Sequence, residues 1–193
     1  MKKYLFPLFW LFASFTGNAQ NVGIGTTTPA ARLHVSDSSV LFSGTTTAPP
    51  VTTTYFPPVQ GPGTRMFWYP ALGAFRAGYI DGSQWDKDFI GQLSFASGYN
   101  TVASGRFSVA LGNNSTASGD NSFALGNTTA SGNFSVAMGD ATSAIGLNST
   151  AMGGVSLAGG GYSTAMGYAT TAIGNYSTAM GIGTTATGIA STA

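Results

Sequence analysis

Few side chains in this sequence could take part in catalysis or metal binding, and they lie far apart. The single histidine, His34, stands in the alternating run R-L-H-V, and the chain has no Cys and no Glu that could complete a metal site or a catalytic pair with it. The many serines have no neighbouring base that would activate them as nucleophiles. We therefore predict no catalytic residue, no cofactor site, no metal site and no enzyme activity.

Three carboxylates cluster in the segment Y-I-D-G-S-Q-W-D-K-D. Asp81, Asp86 and Asp88 carry the oxygen ligands that calcium prefers, but their order and spacing do not match an EF-hand loop. Turn formation and ion pairs with Lys87 and Arg76 are the favoured interpretation of this segment.

Composition limits the functional classes further. Of the 193 residues only 7% are charged, and the formal net charge is +1. Two of the seven basic residues, Lys2 and Lys3, lie in a segment that we expect to be removed. Without them five basic residues face six Asp, a net charge of −1. No basic patch remains, so no nucleic-acid partner is predicted.

Residues 1–19 have the pattern of a secretory signal peptide. Lys2 and Lys3 precede the apolar run Y-L-F-P-L-F-W-L-F-A-S-F, which is too short to span a membrane, and G-N-A supplies small residues before a predicted cleavage at Gln20. A buried N-terminal helix is the less favoured alternative. Without Cys, the exported protein has neither a disulfide framework nor a lipid-modified cysteine anchor.

A short repeat occupies the C-terminal half of the chain. Fourteen glycines recur every seven residues, with one six-residue step between Gly126 and Gly132. Each has Ala two positions earlier and Ser or Thr four positions earlier, so the unit is [ST]-x-A-x-G-x-x. The alanines, which we predict to form an interior, are Ala96, Ala103, Ala110, Ala117, Ala124, Ala130, Ala137, Ala144, Ala151, Ala158, Ala165, Ala172, Ala179 and Ala186. The first eight glycines, predicted to lie in turns, are Gly98, Gly105, Gly112, Gly119, Gly126, Gly132, Gly139 and Gly146.

The alternation inside S-x-A-x-G indicates a strand. Successive side chains of a strand point to opposite faces, so Ser, Ala and Gly share one face, which is small enough for two strand layers to approach closely. Glycine and the Asn, Asp or Tyr residues that often follow it suit a turn. A coiled coil has the same seven-residue period, but Gly, Ser and Thr stand where it needs Leu or Ile.

The outward residues show that the structural unit has fourteen residues. Apolar outward pairs alternate with polar pairs such as Thr116 and Ser118, so each coil has one strand that must be covered and one that can face water. Stacked coils form a parallel solenoid, and residues 94–193 give about seven coils in a rod about 34 Å long. Burial of the apolar stripe against copies of the same chain is the simplest solution. The predicted subunit-interface residues are Val109, Leu111, Phe123, Leu125, Val136, Met138, Met152, Met166 and Met180.

The repeats resemble a known family, the YadA-like head of trimeric autotransporter adhesins. The segments F-S-V-A-L-G-N-N-S-T-A-S-G-D-N-S-F-A-L-G and Y-S-T-A-M-G-Y-A-T-T-A-I-G-N-Y-S-T-A-M-G are similar to its S-x-A-[IVLM]-G and A-x-A-x-G alternation, over residues 91–193. The resemblance implies an all-β fold, a left-handed parallel β-roll with three chains per rod, and an adhesive role. The six-residue step and the run G-G-V-S-L-A-G-G-G depart from the pattern.

The residues before the roll divide into shorter segments. Residues 20–44 are predicted to be a short β segment, and N-V-G-I-G-T-T-T-P-A-A-R-L-H-V within it is similar to a segment of exported tail-fibre-like proteins of Bacteroidota-type bacteria. Residues 45–64 are rich in Pro and Thr and are predicted to be a linker. Residues 65–93 are predicted to form an aromatic hairpin that caps the roll at residues 94–193. The aromatic residues expected to cover the first coil are Phe67, Trp68, Tyr69 and Phe75.

The sequence stops at S-T-A, in the middle of a repeat unit. Tail-fibre-like chains of this type often end in a self-cleaving, trimerising chaperone domain, and true autotransporters end in a membrane-anchor barrel. Because the sequence contains neither, we expect it to be a fragment in which membrane association depended on a missing C-terminal region.

Three functions agree with this organisation. The favoured one is a homotrimeric adhesin-like head, secreted or at the outer cell surface, that binds host extracellular matrix or a glycan by repetition. The second is the structural shaft of a phage-derived or secreted tail fibre. The third, ice binding, rests on threonines such as Thr171, Thr185 and Thr187 and is weakened by Ile173 and Ser131. Aromatic residues after the repeat glycines could stack on sugars or on a host protein, although filling grooves between coils is favoured; they are Phe107, Tyr162, Tyr168 and Tyr176.

Overall fold

The computed structural model describes residues 21–37, 39–44 and 56–193 and divides into two units, with the boundary after Phe42. The predicted signal peptide and residues 45–55 of the predicted linker lie outside the described residues. In the first unit, β1 (Val22–Ile24) pairs in parallel with β2 (Leu33–Val35). Within the described residues, no helix has the length and apolar character needed to cross a membrane.

The described residues of the second unit form one sheet of fourteen strands and a short 3-10 helix, Lys87–Phe89. The strands are β3 (Gly63–Tyr69), β4 (Ala74–Ile80), β5 (Phe95–Tyr99), β6 (Val102–Ala103), β7 (Val109–Asn113), β8 (Thr116–Ala117), β9 (Phe123–Ala130), β10 (Val136–Ala144), β11 (Thr150–Gly154), β12 (Leu157–Ala158), β13 (Thr164–Tyr168), β14 (Thr171–Ala172), β15 (Thr178–Ile182) and β16 (Thr185–Ala186). β3 and β4 form an antiparallel hairpin, and β4 then pairs in parallel with β5.

Each coil of the roll contains a long strand and a short strand, and each pairs in parallel with its copy in the next coil. Thr164 lies opposite Thr178 on the long strands, and Leu157 lies opposite Thr171 on the short ones, an offset of one fourteen-residue repeat. In two coils the long and short strands are continuous, as β9 and β10. The predicted all-β parallel solenoid with fourteen-residue coils is therefore confirmed.

The six-residue step in the glycine spacing is absorbed at one corner of the roll. Asn127 pairs with Asp140 and Thr128 pairs with Thr142, so Ala141 bulges out without a counterpart in the preceding coil. Ala141 has a left-handed φ of 51°. The shorter coil therefore lacks one corner residue, and the register of the strands on both sides of the corner is maintained.

The interior of the roll is filled by small side chains. All fourteen alanines at the repeat position are buried, with at most 2% of their surface exposed. They alternate along the strands with buried hydroxyl residues, which are Ser94, Thr101, Ser108, Ser115, Ser122, Thr128, Ser135, Thr142, Ser149, Ser156, Ser163, Thr170 and Ser177. A Cβ atom added to Gly105 would lie 2.0 Å from the carbonyl oxygen of Gly119 in the next coil. The distance between coils therefore leaves no space for a side chain at the glycine position.

The glycines predicted to lie in turns form two groups. Gly105, Gly119, Gly132 and Gly146 lie where the chain bends after a short strand. The other four lie inside long strands rather than in turns, with φ from 104° to 130°. The strand ladder continues at least one residue past each of them, in a conformation that glycine adopts without strain. This group consists of Gly98, Gly112, Gly126 and Gly139.

Candidate functional site

The outer face of the long strands carries two straight rows of side chains. The residue after each long-strand alanine belongs to the first row, and the register places in line Ser97, Leu111, Leu125, Met138, Met152, Met166 and Met180. The residue before each alanine belongs to the second row, which consists of Phe95, Val109, Phe123, Val136, Thr150, Thr164 and Thr178. All nine residues predicted for a subunit interface lie in these two rows, which we call the apolar face.

The apolar face is only partly covered within one chain. Most of its side chains are half-buried against their neighbours, whereas Leu125 is 36% and Met180 is 52% exposed. Phe75 stacks on Phe95 with ring centroids 5.3 Å apart, which extends the face onto the hairpin. Neither row contains a charged residue. An apolar surface that continues over many coils is typical of an interaction site.

The end of the roll next to the hairpin has a different interior. Arg76 is opposite Ala96 in the register, so it occupies the position that alanine has in every later coil. Its buried guanidinium donates hydrogen bonds to the carbonyl oxygens of Phe75 (2.8 Å), Ser94 (3.1 Å) and Ala103 (3.0 Å), and to the Ser94 hydroxyl (2.8 Å). Burial lowers the pKa of Arg76 to about 9, so the side chain is cationic at neutral pH. The sequence predicted an ion pair between Arg76 and the acidic cluster; instead, the guanidinium binds backbone carbonyls and the Ser94 hydroxyl.

Trp85 completes this end of the roll. Its side chain is fully buried, and its indole Nε1 donates a hydrogen bond of 2.8 Å to the Thr101 carbonyl. The ring of Phe67 packs edge-on against it at 6.2 Å. Of the other aromatic residues expected to cover the first coil, Tyr69 is buried, whereas Trp68 is 40% exposed.

The roles of Arg76 and Trp85 were missed in the sequence. One signal was available, because F-R-A-G-Y at residues 75–79 matches F-A-S-G-Y at residues 95–99, to which it is paired. This match places Arg76 in the frame of the repeat. Trp85 occurs once and outside any repeat, so no comparable signal points to it.

The acidic cluster and the histidine have ordinary structural partners. Asp81, Asp86 and Asp88 each bind a different group. The partners are, in order, the hydroxyl of Tyr99, the backbone N–H of Gly61 and the ammonium of Lys87. His34 Nδ1 accepts a hydrogen bond from the Ala30 N–H. Across the described ranges, no three histidine or acidic side chains approach closely enough to hold a metal ion.

Left-handed residues form two corners along the roll, each at the second position after a repeat glycine. The corner after the short strands, which we call the aromatic corner, consists of Leu93, Phe107, Asn121, Phe134, Asn148, Tyr162, Tyr176 and Ala190. The corner after the long strands, which we call the plain corner, consists of Asn100, Asn114, Ala141, Val155, Ala169 and Gly183. Tyr162 and Tyr176 stack with centroids 5.1 Å apart, and Tyr168 lies at the end of β13, 59% exposed.

The structure is thus a repeat solenoid whose coils share one interior of small residues, with Arg76 and Trp85 closing the end next to the hairpin. The family model for the YadA head domain repeat matches seven overlapping segments, residues 90–115, 103–129, 117–142, 130–156, 144–170, 158–183 and 172–193, which together span more than half of the chain. The chain belongs to this family, and the resemblance identified in the repeats is confirmed. No curated protein matches the chain.

Proposed function

We propose that this protein is a non-enzymatic, exported adhesin-like head that assembles as a homotrimer. YadA-like heads are trimeric in general, and YadA-like adhesins are exported surface proteins. The observation that carries the proposal is the apolar face, where six uncharged side chains from Leu111 to Met180 form one line along the rod. Export is supported by the signal-peptide pattern of residues 1–19.

The geometry of the apolar face suits a symmetric assembly of parallel rods. Its side chains repeat with the strand spacing of about 4.8 Å, so two rods that lie side by side can make the same contact at every coil. Burial of apolar surface contributes about 25 cal/mol per Å², which favours the assembly over separate chains. Cyclic symmetry lets the same face serve in every subunit.

Light scattering on the purified protein, with circular dichroism on the same sample, tests the assembly. We expect a β-rich trimer. The double variant Met138→Asp/Met166→Asp introduces two carboxylates into the apolar face and should reduce the measured mass to that of a monomer, because burial of unpaired charge is unfavourable. The matched control Thr116→Asp/Thr171→Asp changes the outer face of the short strands and should remain trimeric.

A folded monomer in the wild-type sample would show that the apolar face does not hold copies of the chain together. A trimer that persists in the Met138→Asp/Met166→Asp variant would place the interface elsewhere. The structural shaft of a tail fibre would trimerise in the same way but would bind no ligand, so ligand binding separates this function from adhesion.

A further inference from the structure

We infer that the aromatic corner binds a neutral pyranose oligosaccharide, with sugar rings held between aromatic side chains on alternate coils. The inference deepens the proposed function and rests on it in part, because it names the ligand class of the same roll. The aromatic corner lies between each short strand and the next long strand, so Phe107, Phe134 and Tyr162 come two residues before the second row of the apolar face. The two surfaces adjoin, and the experiment below therefore measures sugar binding and molecular mass on the same samples.

The backbone does not require aromatic residues at this corner. Both corners use left-handed residues with φ between 51° and 60°, apart from Gly183 at 67°. Asn and Gly adopt this conformation most readily, whereas a bulky side chain is strained in it. The plain corner contains Asn, Ala and Gly together with one β-branched residue, Val155, and it has no aromatic residue. The aromatic corner has the same backbone and nevertheless carries two phenylalanines and two tyrosines.

Burial does not explain these aromatic residues either. Their exposed fractions are 51% for Phe107, 55% for Phe134, 51% for Tyr162 and 62% for Tyr176. A half-exposed aromatic ring at a strained position stabilises the fold poorly, and residues in unfavourable backbone regions concentrate at binding sites. The aromatic residues therefore indicate a ligand outside the chain.

The order of residues along the corner fits sugar rings. Phe107, Asn121, Phe134, Asn148 and Tyr162 alternate between ring and amide, one residue per coil, and the alternation ends where Tyr176 stacks directly on Tyr162. With about 4.8 Å per coil, successive aromatic residues lie about 10 Å apart. A pyranose ring placed between two of them would contact an aromatic side chain on each C–H face and the intervening asparagine amide at its edge.

The corner is held in place before any ligand arrives. The N–H of Asn121 donates to the Arg106 carbonyl at 2.7 Å, and the N–H of Phe134 donates to the Asp120 carbonyl at 2.8 Å. The same bond joins Tyr162 to Leu147 at 2.7 Å in a later coil. Because the backbone is fixed, little conformational entropy is lost when a ligand binds, which favours affinity.

Polar side chains lie beside the aromatic residues, and their charges cancel. Arg106 Nε donates to Asp120 Oδ2 at 2.8 Å, and Asn133 Oδ1 accepts the Asp120 N–H at 3.0 Å. These planar groups are suited to hydrogen bonds with neighbouring hydroxyls of a sugar. Because the cation and the carboxylate are paired, the surface favours a neutral sugar over a sulfated or carboxylated one.

Calorimetric titration of the complete protein with cellohexaose, chitohexaose and maltohexaose tests the inference, and a heparin hexasaccharide serves as the anionic comparison. We expect at least one neutral hexasaccharide to bind. In the double variant Phe134→Asn/Tyr162→Asn its affinity should fall about tenfold or more, because two stacking contacts are lost. Asparagine is native to this corner at Asn121 and Asn148, so the variant keeps the backbone conformation.

The matched control is Ala141→Asn/Val155→Asn, which makes the same type of change at the plain corner and should bind like the wild type. Light scattering on every sample separates the two proposals: a wild-type monomer that binds sugar and loses binding in the Phe134→Asn/Tyr162→Asn variant would overturn the trimer and support the sugar site. The inference is wrong if no neutral hexasaccharide binds, if only the heparin hexasaccharide binds, or if the variant binds as tightly as the wild type. It is also wrong if this variant changes the mass, because the corner would then be a contact between copies.

Discussion

The coil beside the hairpin and the regular coils have the same backbone register but different interiors. Arg76 lies opposite Ala96, and a buried cation with four hydrogen bonds thus takes the place of a methyl group. The glycines are unchanged between the two regions. A Cβ atom on Gly78 would lie 2.0 Å from the Gly98 carbonyl oxygen. A Cβ atom on Gly98 would lie at the same distance from the Gly112 carbonyl oxygen in the next coil.

This difference shows which repeated residue determines the architecture. Alanine fills the interior where a coil lies on either side, and a larger residue can replace it at the end of the stack. In both regions glycine is required where another coil follows, because the backbone of that coil occupies the space of a side chain. The distance between coils is therefore the primary constraint.

Gly119→Ala should have the largest effect, because it disrupts the feature that both regions share. The new Cβ would lie 2.1 Å from the Gly132 carbonyl oxygen, so the coils must separate. We expect the free energy of unfolding, measured by urea titration with circular dichroism, to fall by more than about 3 kcal/mol. In Gly188→Ala the new Cβ would meet only the Ser191 side chain, at 3.5 Å, and stability should change little. Equal losses in the two variants would contradict the primary role of coil spacing.

Ala124→Leu tests whether a regular coil tolerates a larger interior residue. Ala124 has no exposed surface and the interior has no space for three additional carbons, so we expect a loss of about 2–3 kcal/mol in the same urea titration. Ser131→Leu, at an exposed position in the same coil, is the control and should be nearly neutral. Unchanged stability of Ala124→Leu would mean that the alanine side chains are not tightly packed inside the roll.

Arg76→Met should have the smallest effect of the three. Methionine occupies a similar volume without the cost of burying a charge, but the carbonyls of Ser94 and Ala103 each lose one of two donors and keep only the backbone N–H groups of Phe75 and Gly91. We expect a loss of about 1–2 kcal/mol. Amide hydrogen exchange should locate the loss at β5 and leave β13 protected. Arg32→Met in the first unit is the charge-matched control, and faster exchange throughout the roll would show that Arg76 supports more than the first coil.

The accuracy of the sequence predictions followed from repetition. The solenoid was predictable because the small residues recur in one frame over fourteen units, so strand periodicity, interior and coil length support each other. The interior of the first coil was not predictable from the sequence, because Arg76 and Trp85 do not recur from repeat to repeat. Their burial depends on contacts between residues that are distant in the sequence. The glycines inside long strands were assigned to turns because the sequence does not distinguish a glycine that continues a strand from one that ends it.

The aromatic corner was only partly visible in the sequence. Phe107, Tyr162 and Tyr176 were noted after their glycines, but Phe134, two residues after the repeat glycine Gly132, was missed. The alternation with asparagine emerges only when the coils are stacked in register. Sequence position alone therefore identified the residue type and not the surface that these residues share.

The thirteen-residue coil has a consequence for how such rods align. A perfectly periodic rod fits its neighbour equally well after a slip of one coil, so identical rods would have several nearly degenerate alignments. In the proposed assembly, the missing corner residue opposite Ala141 would remove this degeneracy, because the irregularities of two rods coincide in one alignment only. The thirteen-residue coil would therefore fix the axial register between rods whose surfaces otherwise repeat from coil to coil.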